Sequence, residues 1–187
     1  MLVITNKSDV TSDFIIKRLN ERAIRFYRFN TDELTLSIDA NLNITNNEFY
    51  LIDSHGQQHI RLLDFSAVYF RRPEMPHIVQ ENLSSGEITF LKNELTYSLE
   101  GIYKILKNAY WVSPLFAIRE AENKVHQLIT AKSLGFRIPE TLITNSRKSA
   151  LEFFIDQKKQ IIAKPLKSGL IEELDGSKIV FTTSLQD

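Results

Sequence analysis

The stretch from LVIT to RFYRFN, residues 2–30, constrains the fold more than any other. LVIT (2–5) reads as a short strand of the buried type. NKSDVTSDFIIKRLNERAI follows. Ser8 or Asp9 can cap a helix there, and Val10, Phe14, Ile15, Leu19 and Ala23 form an apolar stripe at helical spacing. RFYRFN (25–30) alternates charged and aromatic side chains, which predicts a second, half-exposed strand. Strand, helix and strand in so short a span make a βαβ unit with a right-handed crossover. Its strands are parallel, so the chain is committed to an α/β fold.

Three alternating runs come next, TLSIDAN, FYLIDSHG and QHIRLLD, with turn signals at Asn46-Asn47 and His55-Gly56. They predict a β-meander inserted into the sheet or set at its edge. AVYF (67–70) is continuously apolar, as a central strand requires. That run ends on Arg71 and Arg72, and Pro73 fixes the chain after them. Alternation along a strand sends neighbouring side chains to opposite faces, so the two guanidiniums are expected to diverge. ENLSSGEITFLKNELTYSLEGIYKILKN then predicts a long helix. Ser84 and Glu87 fit a capping box, and Ile88, Leu91, Leu95, Leu99, Ile102, Tyr103 and Leu106 step by three and four along a core-facing stripe. A first domain is expected over 1–109. Ligands of open α/β sheets sit beyond the carboxyl ends of the strands, where the arginine pair falls.

A second domain is expected over 110–187. YWVSP gives a strand stub, and IREAENKVHQLITAKSLG one helix stopped by Gly135. FRIPETLIT is held extended by Pro139, and NSRKSALEFFIDQ is a helix capped by Asn145 or Ser146. QIIAKPLKSG is a buried strand that delivers Lys164 at its end. The ammonium of Lys164 must reach water or meet an anion such as a phosphate. Lys167, Ser168 and Gly169 follow in LKSG; the glycine permits close backbone approach to a ligand, although the segment is not a Walker loop.

Bulk properties remove several alternatives. Lys+Arg and Asp+Glu each number 23, so the net charge is +0 and binding to nucleic acid by a global basic field is disfavoured. With no cysteine, thiol catalysis and Cys-based zinc sites are excluded. His55, His59, His77 and His126 have no ligand-pair spacing, and no metal site is assigned to them. No apolar run reaches the ~20 residues needed to span a membrane, and MLVITNKSD is a strand rather than a signal peptide. A cytoplasmic protein with no membrane partner is expected. TNKSD, not G-x-G-x-x-G, follows the first strand, which argues against a dinucleotide-binding dehydrogenase; the acidic cluster of a phosphoreceiver is missing too.

Lys124 in ENK, then LGFRIPETLITN, then Lys164 in IIAKPLKSG resemble in order and spacing the ATP-grasp superfamily, the two lysines lying about 40 residues apart. VYFRRP followed by the long helix resembles the preceding domain of its ribosomal-peptide maturase branch, which includes the microviridin-type ester and amide ligases. The resemblance implies a small open α/β pre-ATP-grasp domain with a β-meander, followed by the first α+β subdomain of an ATP-grasp fold. It implies ATP and Mg²⁺ as cofactors, with Lys124 and Lys164 on the ATP phosphates and Lys167, Ser168 and Gly169 beside them. A carboxylate of a precursor peptide would be phosphorylated, and a hydroxyl or amine of the same peptide would displace phosphate to give an ester or amide. Arg71 or Arg72 would hold the carboxylate or acyl phosphate through a bidentate fork, unless the pair braces an interface instead. The precursor (leader-core) peptide is the expected partner, a homodimer the expected assembly, and residues 170–183 a hairpin associated in the family with leader recognition. The family's adenine-binding hinge and its acidic and Asn ligands for Mg²⁺ come later than SLQD. The chain is therefore expected to be a truncated piece, inactive alone. The rival expectation is a non-catalytic peptide-binding or dimerisation module.

Overall fold

A computed structural model describes residues 1–54, 58–79, 82–167, 170–173 and 176–185. It divides into two compact units, Met1–Pro114 and Leu115–Asp187.

The first unit is built on four parallel strands: β1 (Leu2–Thr5), β2 (Tyr27–Asn30), β6 (Ala67–Phe70) and β7 (Tyr110–Val112), in the order β2-β1-β6-β7. Helix α1 (Val10–Glu21) connects β1 to β2, and α2 (Ser85–Ile105) connects β6 to β7. The two crossovers run in opposite directions across the sheet, so right-handed connections place the helices on opposite faces. Contacts agree. Phe70, Tyr103 of α2 and Trp111 of β7 pack with ring centroids 5.4–6.2 Å apart. On the other face the Thr5 hydroxyl meets the N-terminus of α1. The core between sheet and α2 contains Leu2, Ile4, Phe29, Val68 and Ile102, all fully buried. Each contributes about 2 kcal/mol of apolar burial.

The meander is a separate antiparallel sheet, β3 (Ile38–Asn43), β4 (Glu48–Asp53) and β5 (Gln58–Arg61), rather than an insertion into the parallel sheet or its edge. Its apolar face carries Ile38, Phe49 and Leu51, buried together with Leu62. That face needs a layer to cover, which an edge position would not supply. The Tyr27 hydroxyl donates to Asp53 Oδ2 at 3.3 Å and ties the meander to β2. Burial and that carboxylate push the phenol well above its ordinary value. The turn signal at His55-Gly56 lies outside the described residues.

Two helix readings are corrected. On α1, Val10 and Phe14 are exposed, at 63% and 67%, while Ser12 is fully buried. The predicted helix over 118–135 is two helices, α3 (Leu115–Ala121) and α4 (Lys124–Ser133). Asn123 breaks it, because its side-chain oxygen accepts from the N–H groups of Val125 and His126 and starts a new helix. Gly135 stops α4 at φ +82, as expected of a left-handed cap.

The second unit continues with α5 (Arg147–Asp156), capped by Ser146, and strand β8 (Ile161–Ala163). A hairpin pairs β9 (Leu170–Glu173) with β10 (Gly176–Ile179), and β11 (Thr183–Leu185) returns to pair antiparallel with β8. The hairpin is thus shorter than the 170–183 expected. Gly176 pairs with Glu173 at the end of its ladder.

Candidate functional sites

The carboxyl end of the parallel sheet carries a dense polar network. Asp9, the N-cap of α1, is buried and takes the Ser12 hydroxyl at 2.6 Å and the Thr5 hydroxyl at 3.0 Å on Oδ2. Its Oδ1 accepts from Thr11 N–H at 3.3 Å. Burial opposes the charge on Asp9, but the donors from Ser12, Thr5 and Thr11 and the Arg71 guanidinium outweigh it and hold the carboxyl below its ordinary value.

Arg71 is engaged in this network. Its Nε stands 3.5 Å from Asp9 Oδ2, within ion-pair range but too long for a good hydrogen bond, and its Nη2 donates to Thr11 Oγ1 at 3.2 Å. Its own N–H extends the sheet by one bond to the Ile4 carbonyl. Arg72 leaves the strand altogether. It adopts φ +44, its side chain is exposed, and its carbonyl accepts from Asn6 Nδ2 at 2.7 Å. Simple strand alternation therefore does not describe the pair.

In the second unit Lys124, the first residue of α4, reaches across to the end of β8. Its Nζ donates to the Pro165 carbonyl at 2.5 Å. Lys124 and Lys164 line one cavity of about 880 Å³, whose walls include Leu142, Ile143, Phe153 and Ile162. Lys167 does not line it, and Ser168 and Gly169 lie outside the described residues. Two ammonium groups over an apolar-walled cavity fit the phosphates of a nucleotide. Among the described residues no three His, Asp or Glu side chains gather into a metal site. No helix among the described residues is long and apolar enough to cross a membrane.

A family model described as the MvdD pre-ATP grasp domain matches residues 1–119. The chain belongs to that family. No curated protein matches it. Among solved structures, macrocyclase MdnC from Microcystis aeruginosa MRC, bound with precursor peptide MdnA, matches with TM-score 0.87 and 24% identity over 98% of this chain and 60% of MdnC. Macrocyclase MdnB from the same organism matches with TM-score 0.79 and 25% identity over 100% of this chain and 61% of MdnB. A Chryseobacterium gregarium RiPP-associated ATP-grasp ligase, in complex with ADP and a leader and core peptide, matches with TM-score 0.81 and 25% identity over 99% of this chain and 56% of that one. The chain spans about three fifths of the length of these structures. The resemblance read from VYFRRP, Lys124 and IIAK is thus borne out for family and fold.

Asn6 and the Pro165 carbonyl were missed from the sequence. Asn6 lies in TNKSD, a stretch whose pattern points to Ser8 and Asp9 as helix caps and carries no sign of a contact with Arg72. A backbone acceptor such as Pro165 O leaves no side-chain signal at all.

Proposed function

We propose that the chain forms part of an ATP-dependent ligase acting on a precursor peptide. The γ-phosphoryl group of ATP passes to a side-chain carboxylate of the peptide, giving an acyl phosphate and ADP. A hydroxyl or amine of the same peptide then attacks the acyl carbon, loses its proton and expels phosphate, leaving an ester or an amide. In this reading Lys124 and Lys164 offset charge on the phosphates, where positioning and electrostatics supply most of the rate. One of the two arginines at the sheet end, Arg71 or Arg72, serves the acceptor side, holding the carboxylate by a bidentate fork. Lys167, Ser168 and Gly169 complete the phosphate side.

The observation that carries the reading is the convergence of Lys124 and Lys164 on one cavity, in a chain whose fold matches peptide macrocyclases. ADP binding tests it. Calorimetric titration is expected to give a Kd weakened about tenfold or more by Lys164→Met and by Lys124→Met, each of which removes a charge-assisted contact. Equal affinity in wild type and both variants would overturn the nucleotide assignment.

A further inference from the structure

After β1 the chain crosses the sheet one way, and after β6 it crosses the other way. The crevice between these two strands is therefore the topological switch point, where open α/β sheets take their ligands. Four cations stand on the segments around it: Lys7, Arg28, Arg71 and Arg72. Three are committed. Lys7 pairs with Glu33, Arg28 with Asp13 and Arg71 with Asp9. Among the described residues, the Arg72 guanidinium alone of the four has no partner.

The backbone of Arg72 is also unusual. A residue before proline is pushed by sterics toward extended conformations, yet Arg72 precedes Pro73 and has φ +44. Ala23, Lys158 and Lys159 also have positive φ, but they follow helix ends; Thr35 lies in the turn after the short 3-10 helix Thr31–Glu33, Asn47 in the β3–β4 turn and Asn82 just ahead of α2. Arg72 follows a strand and needs another restraint. Asn6 supplies it. This side chain is buried at 4% exposure, and its amide donates to the Arg72 carbonyl at 2.7 Å. Its Oδ1 accepts from both the N–H and the hydroxyl of Ser8, each at 2.9 Å, which locks the amide orientation. Strained backbone held by a dedicated contact is the kind of observation from which function can be argued.

We propose that Arg72 is the guanidinium that receives a carboxylate-bearing peptide at the switch point, that Asn6 is its positioning residue, and that Arg71 is a brace for α1. The inference deepens the reading above and rests on it for the nature of the ligand. The planar fork of Arg72 matches a carboxylate bidentately and has no internal carboxylate to displace. Arg71 would first have to release Asp9.

A fluorescein-labelled peptide of six glutamates, titrated into the full chain at low ionic strength and followed by anisotropy, tests this. Arg72→Gln is expected to weaken binding about tenfold. Asn6→Ala should weaken it comparably, and the double variant no further than Arg72→Gln alone, because both act through one contact. Asn6→Asp should behave as Asn6→Ala, since a carboxylate accepts from Ser8 but cannot donate to the Arg72 carbonyl. Wild-type affinity in Arg72→Gln, or losses that multiply in the double variant, would overturn the proposal. Should Asn6→Ala fail to fold, Arg72→Lys carries the test: a loss supports the fork, and unchanged affinity overturns it. Arg72→Gly should melt at a higher temperature than Arg72→Ala because glycine tolerates the left-handed region; equal midpoints would remove the strain on which the role of Asn6 depends. ADP titration of Arg72→Gln reads the lysine cavity separately, so a failure of ADP to bind counts against that cavity and not against Arg72.

Discussion

Asp9 does two things at the residue scale: it caps α1 and it holds Arg71. Its pKa is depressed in the folded chain relative to about 3.9 when unfolded. A depressed carboxylate adds stability above its unfolded pKa and loses it as pH falls through the folded value. Stability is therefore expected to drop as pH falls from about 5 through the depressed folded value, and the drop should shrink in Asp9→Asn. That variant should also lose about 2 kcal/mol near neutral pH, because the Ser12 and Thr5 hydroxyls and Arg71 keep only a neutral partner. Parallel pH–stability curves for wild type and variant, from urea melts, would refute the assignment. The capping role of Asp9 was legible, since an Asp before an apolar helical run is a start signal. The Arg71 pairing was not. It joins residues 62 apart in sequence, and no local pattern encodes such a contact.

At the element scale, α2 is both the best-read piece and an uneven one. Its capping box is present as the sequence implied, with Glu87 Oε2 accepting from Ser84 N–H at 2.8 Å and Ser84 Oγ accepting from Glu87 N–H at 3.3 Å. Burial is confined to its far end, at Leu99, Ile102 and Tyr103, while Phe90 and Tyr97 are 62% and 75% exposed. The first turns therefore depend on the cap. Ser84→Ala should cost about 1 kcal/mol there. Amide exchange over residues 85–94 would then speed about fivefold while that at 99–105 is unchanged. A uniform acceleration along the helix would show that the cap and the core act as one unit. The stripe on α1 was misread because Val10 and Phe14 match the period as well as the true core residues do. Ser12 is buried only because Thr5 and Asp9 offer it partners. Similarly, the break at Asn123 is a choice between continuing a helix and capping a new one. Composition alone does not decide it.

At the scale of the whole molecule, the two units differ in kind. Met1–Pro114 contains fifteen of the sixteen buried apolar side chains among the described residues. Among the described residues of Leu115–Asp187, Leu115 is the one buried apolar side chain, and Ile129, Leu151, Ile155 and Ile162 are each more than half exposed. Apolar burial dominates stability, so the second unit should melt first, in a separate transition. ADP should raise that lower midpoint and leave the upper one in place, as expected for a ligand bound to one unit alone. One cooperative transition, or both midpoints moving together, would contradict this. The division was legible only in outline, because the sequence marks elements but does not mark how completely each is covered.

The chain carries a built-in reporter for that experiment. Its single tryptophan, Trp111, lies on β7 against Phe70 and Tyr103, with the indole N–H donated to the Leu106 carbonyl at 2.9 Å. Intrinsic fluorescence excited at the indole band therefore reads the first unit alone, whereas far-ultraviolet dichroism reads helices in both. Without any label, the two signals recorded on one sample can separate the melting of the four-stranded sheet from that of the unit that carries Lys124 and Lys164.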